Sequence, residues 1–354
     1  MDNNRYQIMM EARGVVCCKC RQRLSLLTLN STGVKCPICN MMNPVPTCER
    51  SRSKDGKAKK NISDPDLLSS SKKTESLKKM PFPLEISRSS SGTRAARKRA
   101  LLIGVTYKRK HMLKGTINDV KSMGGFLINS FGFKEENIRV LTEEEPEPDF
   151  FPTKKNIQNS FKWLVEDCMA GDSLVFYFSG HGIKQFDLDG DESDGFDETI
   201  CPVDFMEAGT ITDDEIKSAI VRPLKKGVTL NAIVDACHSG TVLDLPYVYN
   251  RKEKKWENST RLSEEEKHTD RGLAISLAAC EDIQVAADTS SCIGKSSING
   301  GAMTSVLIQI VEKKPTITYG KLLDSIYEDI EKANKEGCLP RIIKGMLNNI
   351  LSQV

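Results

Sequence analysis

Short apolar runs alternate with longer amphipathic stretches from Lys98 onward in this 354-residue chain. Strands that alternate with helices build a parallel sheet with helices on both faces, because a parallel connection needs a long crossover. The sequence therefore predicts an α/β fold, and functional groups in such sheets gather beyond the carboxyl ends of the strands. The predicted strands are residues 99–106, 137–142, 172–179, 229–235 and 273–279.

Helix-start signals help to place the helices between and after these strands. Pro152 and Thr153 precede one amphipathic stretch, and Thr212 with Glu215 forms the pattern of a capping box ahead of another. The predicted helices are residues 116–131, 153–170, 212–221, 301–312 and 318–334.

The net charge of +3 conceals a strong asymmetry along the chain. Residues 50–99 carry 15 basic and 5 acidic groups, whereas residues 100–354 carry 30 basic and 40 acidic groups. The basic segment is rich in Ser, Lys and Arg, so burial cannot offset the entropy cost of ordering it. We predict a disordered basic linker at 50–97, between a small module at 1–49 and a domain at 98–354. Such runs are usually solvated linkers, and nucleic-acid binding is the less favoured alternative.

Composition narrows the class of protein further. With 39% hydrophobic and 28% charged residues, the chain is neither wholly disordered nor fibrous. No apolar run reaches the roughly 18 residues of a transmembrane helix, and the first residues lead into no apolar segment typical of a signal peptide. We therefore expect an intracellular protein with no membrane partner, in the cytoplasm, with the nucleus as the alternative.

Two CxxC pairs separated by 15 residues lie in the first fifty residues. Four thiolates with this spacing suit one tetrahedral structural zinc ion, and so short a segment has little apolar area with which to fold unaided. Cys18 and Cys48 could compete as ligands, although neither forms a better CxxC pair. The predicted zinc ligands are Cys17, Cys20, Cys36 and Cys39.

Two predicted strands run directly into reactive residues flanked by glycine. The third strand is followed by GHG at 180–182, and the fourth by ACHSG at 236–240. A cysteine thiolate attacks a carbonyl, and a nearby imidazole takes the thiol proton and later protonates the leaving amine. Taken singly, Cys237 and His181 would more often be structural. Because neighbouring parallel strands end at one edge, we expect them to lie side by side as a catalytic dyad.

YFSGHG at 177–182 and DACHSG at 235–240 resemble the two active-site motifs of metacaspases. The string CCKCRQRLSLLTLNSTGVKCPIC resembles the LSD-type zinc finger of plants, and a finger ahead of this domain is the arrangement of plant type I metacaspases. The resemblance implies a caspase-like fold, calcium-dependent cysteine endopeptidase activity after Arg or Lys, and a role in programmed cell death or stress response. Further segments resemble the family in the same order: LKGTINDV, GDESDGFDETICPVDF, ITDDEI, SGTVLDLPY, SLAACEDIQVAADT and GAMTSVLIQ.

The resemblance also implies roles for individual residues. Cys237 is the nucleophile, His181 is the general base and acid, and the backbone N–H groups of Cys237 and Gly182 form the oxyanion hole. A desolvated basic side chain of the substrate needs carboxylate partners, which agrees with the implied pocket. Asp119 would equally suit a carboxylate stabilised at a helix N-terminus. The implied pocket residues are Asp119, Asp235, Ser179 and Thr116.

An acidic stretch, DLDGDESDGFDE at 187–198, suggests calcium, because hard cations bind clustered carboxylate oxygens. It is not an EF-hand loop, since Glu192 stands at the sixth position, where glycine is required. A solvated acidic loop is the alternative. By resemblance, the metacaspase calcium site maps onto Asp197, Asp213, Asp214 and Asp244.

The charged stretch at 250–271 predicts an exposed loop, in which self-cleavage at Lys or Arg is one hypothesis and an uncut loop the other. The basic linker offers a second place for such a cut. The end of the chain, LPRIIKGMLNNILSQV, departs from the family pattern. A function from another class is the alternative hypothesis: a scaffold whose zinc finger and linker recruit regulatory proteins, with the peptidase fold secondary.

Overall fold

The computed structural model describes part of the chain, which divides into two compact units, Met1–Asp64 and Pro65–Val354. The described residues are 29–30, 33–35, 42–43, 95–107, 112–186, 196–236, 241–250, 255–258, 270–279, 302–335 and 350–353.

Three short antiparallel strands are described in the first unit. They are β1 (Leu29–Asn30), β2 (Gly33–Lys35) and β3 (Met42–Asn43), paired in the order β1-β2-β3. The predicted linker up to residue 94 and the predicted zinc ligands lie outside the described residues, so the zinc finger and the linker stay predictions. These ligands are Cys17, Cys20, Cys36 and Cys39.

One large sheet organises the second unit. Eight strands pair in the order β12-β11-β14-β13-β10-β6-β4-β5, and three others form a small antiparallel sheet in the order β7-β8-β9. The strands are β4 (Lys98–Gly104), β5 (Ile138–Thr142), β6 (Ser173–Ser179), β7 (Gly182–Phe186), β8 (Phe196–Ile200), β9 (Ile211–Thr212), β10 (Thr229–Asp235), β11 (Tyr247–Asn250), β12 (Lys255–Asn258), β13 (Leu273–Ala279) and β14 (Ile350–Gln353).

All five predicted strands are present, and they are neighbours in the large sheet. The run β13-β10-β6-β4-β5 is parallel throughout. Every residue of β6 is buried. This is expected for a parallel strand that is covered on both faces, where a continuous apolar run replaces alternation.

The helices also follow the predicted positions, with one clear difference in length. Thr153 caps its helix by accepting a hydrogen bond from the Asn156 N–H, and Thr212 and Glu215 form the predicted capping box. The helix predicted at 153–170 ends at Val165, shortly before Asp167, whose φ of 50° is left-handed. The helices are α1 (Thr116–Phe131), α2 (Lys154–Val165), α3 (Phe205–Ala208), α4 (Asp213–Ile216), α5 (Ala302–Lys313) and α6 (Tyr319–Lys335), and a π-helical segment, Lys217–Val221, continues α4.

Helices pack on both faces of the sheet, which confirms the predicted α/β fold class. Leu102 and Tyr177 point to the face covered by α1, α5 and α6, whereas Leu101 and Phe176 point to the face covered by α2 and α4. The alternation follows from the two-residue period of a strand. None of the described helices is long and apolar enough to cross a membrane.

The prediction of an exposed loop at 250–271 is wrong for residues 255–258. These residues form β12, which pairs antiparallel with β11. The reason is aromatic packing, because the ring of Trp256 stands edge-on to that of Tyr249 with 5.3 Å between the ring centroids. The strands β7, β8, β11 and β14 also lie outside the predicted elements, and β9 ends at Thr212, where the predicted helix 212–221 begins.

Candidate active site

The site lies at the carboxyl edge of three adjacent parallel strands. Gly104 at the end of β4 and Asp235 at the end of β10 are both register partners of Ser179 at the end of β6. Gly180, which follows Ser179, therefore lies beside the end of β10 at Asp235. The N–H of Gly180 donates to the Asp235 carbonyl at 3.4 Å, which extends this contact beyond the strands.

His181 follows β6 at this edge, as the sequence predicts. Gly182 begins β7, directly after the histidine, and is the register partner of Ile200. Cys237 lies outside the described residues, so its distance from His181 and the oxyanion role of Gly182 stay predictions. The strands that precede the two residues, β6 and β10, are adjacent and parallel, as expected.

Tyr107 holds His181 in place, and the sequence prediction did not include it. The two rings stack at a tilt, with 4.5 Å between their centroids. The Tyr107 hydroxyl accepts a hydrogen bond from the His181 backbone N–H at 2.9 Å and donates to the Cys201 carbonyl at 2.5 Å. Tyr107 has a left-handed φ of 54°, which costs energy for a bulky residue. The sequence could have indicated Tyr107, because this residue lies just beyond the carboxyl end of β4, where functional groups gather in parallel sheets.

Glycine at position 180 makes the contact between Tyr107 and the histidine segment possible. A Cβ atom there would lie 2.7 Å from the Phe178 ring and 2.9 Å from the Tyr107 hydroxyl. No side chain fits at these distances. The glycine is thus required by close packing on the tyrosine.

The predicted pocket residues on α1 lie beside the end of β6. Ser179 donates its hydroxyl to Asp119 Oδ2 at 3.1 Å, and both residues are buried. The Thr116 hydroxyl oxygen is buried and makes no hydrogen bond within the described part of the chain. Gly104 allows this arrangement, since a Cβ atom there would stand 2.9 Å from the Thr116 carbonyl oxygen. The close approach of α1 to β4 brings these residues to the sheet edge.

Asp235, the other predicted pocket acid, is held by the first turn of α5. Its Oδ2 accepts from the Thr304 N–H at 3.2 Å and from the Thr304 hydroxyl at 2.7 Å. Burial raises the pKa of Asp235, and the two hydrogen bonds from Thr304 act in the opposite direction by stabilising the carboxylate. Thr304 is a second residue that sequence reasoning missed, because nothing in the sequence signals that the start of α5 lies next to Asp235.

Tyr177 shows that the two pocket acids, Asp119 and Asp235, face one buried region. Its hydroxyl and that of Thr304 are 2.8 Å apart. The pKa of Tyr177 is raised first by burial and then by the negative charges of Asp119 and Asp235. Both carboxylates are therefore close to the same phenol, which agrees with a shared acidic pocket.

The four residues predicted to bind calcium come from three segments that the structure connects. Asp213 at the start of α4 accepts the Glu198 N–H at 3.0 Å, next to Asp197 on β8. Thr241 donates its N–H and hydroxyl to the Glu198 carboxylate. Asp197, Asp213 and Asp244 are buried and Asp214 is partly buried. We call these four residues, Asp197, Asp213, Asp214 and Asp244, the distal acids.

The donor set of the distal acids fits calcium, which prefers oxygen ligands. The arrangement itself is not a finished site, since no three Asp, Glu, His or Cys side chains of the described residues are placed to hold a metal ion. Asp244 instead forms an ion pair with Lys217, with 2.6 Å between Nζ and Oδ2. The residues suit the ion chemically, and one of them is already paired with a cation.

In the sequence a histidine follows β6 and a cysteine follows the neighbouring strand β10, which is the order of reactive residues in cysteine peptidases of caspase-like α/β architecture. Residues 98–246 match the family described as "Metacaspase, peptidase C14 domain". Residues 98–246 thus form a metacaspase-type domain, and metacaspases are a family of cysteine-type peptidases.

Related proteins from a plant support this assignment. The chain is 49% identical over 246 residues to Metacaspase-1 of Arabidopsis thaliana, covering 68% of this chain and 66% of that protein. It is 48% identical over 239 residues to Metacaspase-2 of the same organism, covering 66% of this chain and 57% of the relative. The chain therefore spans less than two thirds of the length of these relatives. A solved structure of a Geobacter sulfurreducens protein aligns with a TM-score of 0.40 and 20% identity, over 61% of this chain and 82% of that one.

Proposed function

We propose that this protein is a calcium-activated cysteine endopeptidase that cleaves proteins after Arg or Lys. The observation that carries the proposal is the pair of carboxylates at the sheet edge that also bears His181, of which Asp119 is buried and Asp235 is partly buried. A guanidinium or ammonium group that leaves water needs such a partner, and a substrate with Asp at this position would be repelled. The buried Thr116 hydroxyl oxygen, which makes no hydrogen bond among the described residues, offers an acceptor to the same cation.

The chemistry follows from the residues at the strand ends. His181 takes the proton of the Cys237 thiol, and the thiolate sulfur forms a bond with the substrate carbonyl carbon. The carbonyl oxygen becomes an oxyanion, which the N–H groups of Cys237 and Gly182 stabilise. The C–N bond then breaks as the imidazolium protonates the leaving amine. Water, deprotonated by His181, hydrolyses the thioester and restores the thiol.

Hydrolysis of matched fluorogenic peptides tests this function. Peptides that differ only in Arg, Lys or Asp before the cleaved bond are compared with the full-length protein and with Cys237→Ala. We expect cleavage of the Arg and Lys peptides, none of the Asp peptide, and none by the variant. Equal cleavage of Asp and Arg peptides would contradict the pocket, and absence of any cleavage would favour the scaffold alternative.

Calcium is proposed to act through the distal acids. When bound, the ion would supply positive charge that draws carboxylates from three segments together. The segment with Asp244 follows the nucleophile after only seven residues, so its position affects the site. Magnesium demands tighter octahedral geometry and dehydrates reluctantly, so it should activate poorly. Full activity in excess chelator, or an unchanged calcium response in Asp213→Asn/Asp214→Asn, would remove calcium from the function.

A structural zinc ion is proposed for the N-terminal module. We expect about one zinc ion per chain by elemental analysis, and much less in Cys36→Ser, because a tetrahedral site needs all four thiolates. Cys168→Ser is the control, since that cysteine is free, buried and far along the chain. Equal zinc content in wild type and Cys36→Ser would contradict the four-cysteine assignment. The partner of the zinc finger, proposed to be a regulatory protein, is a separate question.

A further inference from the structure

Lys217 is a buried cation in the part of the chain that the structure describes. Its relative exposure is 2%, and it is among the largest fully buried side chains. Lysine is rarely buried unless it is paired, because removing an ammonium group from water is costly. A lysine in this position therefore needs a specific reason.

The local backbone points Lys217 at the loop that follows the nucleophile. It begins the π-helical segment Lys217–Val221, which continues α4, and π-helical segments are rare and often occur at functional sites. Its ammonium group lies 2.6 Å from Asp244 Oδ2, in a pair whose members are both buried. The pair joins the helical segment that carries Asp213 to the loop.

Asp244 lies at a left-handed backbone position between buried residues of the loop. Its φ of 43° is left-handed, and its neighbours Val242, Leu243 and Leu245 are buried in the core. A carboxylate among apolar side chains needs a cation or several hydrogen bonds. In this structure the cation is Lys217.

We propose that Lys217 is a built-in cation that holds Asp244 in the absence of calcium and competes with calcium for this carboxylate. The inference rests on the proposed calcium site and names the residue that sets its affinity. An ammonium group and a calcium ion repel each other, so calcium must displace Lys217 or bind against its charge. The protein therefore responds at a higher calcium concentration than four carboxylates alone would require.

Calcium titration by calorimetry tests this competition directly. The full-length protein carries Cys237→Ala, so that self-cleavage cannot intervene and activity is not the readout. We expect Lys217→Met and Lys217→Gln to bind calcium at least about tenfold more tightly, because both remove the charge, and a tenfold change is about 1.4 kcal/mol. Lys217→Arg keeps the charge and should stay within about threefold of the parent.

Lys154→Met is the matched control for the loss of a positive charge. Lys154 also contacts α4, through Glu215 at 3.1 Å, and donates to the Thr210 carbonyl at 2.6 Å, but its recorded contacts do not include Asp244. The calcium affinity of Lys154→Met should change by less than about threefold, since Lys154 pairs with Glu215, which is not among the predicted calcium ligands. An equal gain in Lys154→Met and Lys217→Met would overturn the proposed contact-specific role.

Thermal unfolding supplies a second readout that does not depend on activity. Without calcium, Lys217→Met should unfold at a lower temperature than the parent, because Asp244 loses its cation. With calcium, the difference should shrink or reverse. If Lys217→Met does not fold without calcium, Lys217→Gln keeps a hydrogen-bond donor for Asp244 and carries the test.

The outcomes separate this proposal from the function on which it rests. If the parent binds calcium and both neutral variants bind it equally or more weakly, the role of Lys217 is wrong and the calcium site stands. If neither the parent nor the variants bind calcium, both the proposed calcium site and the proposed competition by Lys217 are wrong. Cleavage of Arg peptides is measured independently and can succeed in either case.

Discussion

The pocket acids and Asp244, one of the distal acids, are held by different kinds of partner. Ser179 and Thr304 donate to Asp119 and Asp235 from hydroxyl and backbone N–H groups, which are neutral. Asp244 is instead bound to the ammonium group of Lys217. Neutral donors orient a carboxylate and leave its charge for a ligand, whereas an ammonium group neutralises it in advance. The comparison supports the proposals that the pocket accepts a cationic side chain and that calcium at Asp244 would compete with Lys217.

Loss of the His181 imidazole, with the pocket acids and the distal acids left in place, should have the largest effect on activity. His181→Ala should lower kcat/KM for an Arg peptide by about a thousandfold or more, since the thiolate and its proton acceptor act as a unit. Calcium binding should be unchanged, because His181 belongs to neither group of acids. Steady-state kinetics and calorimetry provide the two measurements. Near-normal turnover in the purified variant would refute the dyad.

Neutralising a pocket acid tests whether the pocket acids bind the basic side chain of the substrate. Asp119→Asn should lower kcat/KM for Arg and Lys peptides by about a hundredfold, because a buried charge pair loses one partner. Cleavage of an Asp peptide should not appear, since no positive partner is gained. Asp149→Asn, at an exposed position, is the control and should behave as wild type. A retained preference for Arg in Asp119→Asn would place the pocket elsewhere.

Tyr107→Phe tests whether Tyr107 positions His181, a role that involves neither the pocket acids nor the distal acids. The phenylalanine ring can still stack on His181, whereas the hydrogen bonds to the His181 N–H and the Cys201 carbonyl are lost. We expect kcat to fall about tenfold with little change in KM, at a stability cost of about 1 kcal/mol. Tyr249→Phe, in the hairpin β11-β12, serves as the control. A rise in KM at unchanged kcat would show that Tyr107 acts on substrate binding instead.

Thr304→Val gives the smallest expected effect and a defined pH signature. Burial raises the pKa of Asp235 and Thr304 opposes that rise, so the variant should move this pKa further upward. Binding of Arg needs the ionised carboxylate, and the acid limb of the kcat/KM profile should therefore shift to higher pH. At neutral pH we expect a loss of about fivefold, near 1 kcal/mol. Thr304→Ser keeps the hydroxyl and should retain the wild-type profile; an identical profile in Thr304→Val would exclude this role.

The strands, their parallel arrangement and the edge that bears His181 could be predicted, because apolar runs and glycine-flanked reactive residues are local signals. Tyr107, Thr304 and Lys217 could not be found in this way. Each acts through a contact with a residue distant in sequence, and such contacts depend on packing rather than on periodicity. β12 was missed for a related reason, since the strand depends on the Trp256 ring within a segment of high charge.

The position of the last strand, β14, determines whether the protein would stay in one piece after cleavage between β12 and β13. β14 lies between β11, which precedes the charged stretch after Asn258, and β13, which follows it. A single cut between β12 and β13 would leave two polypeptides, and each would supply strands to one continuous sheet. The fragment with β13 and β14 would stay paired with β10 on one side and β11 on the other. Such a nicked molecule would keep its mass in gel filtration and separate into two bands only after denaturation.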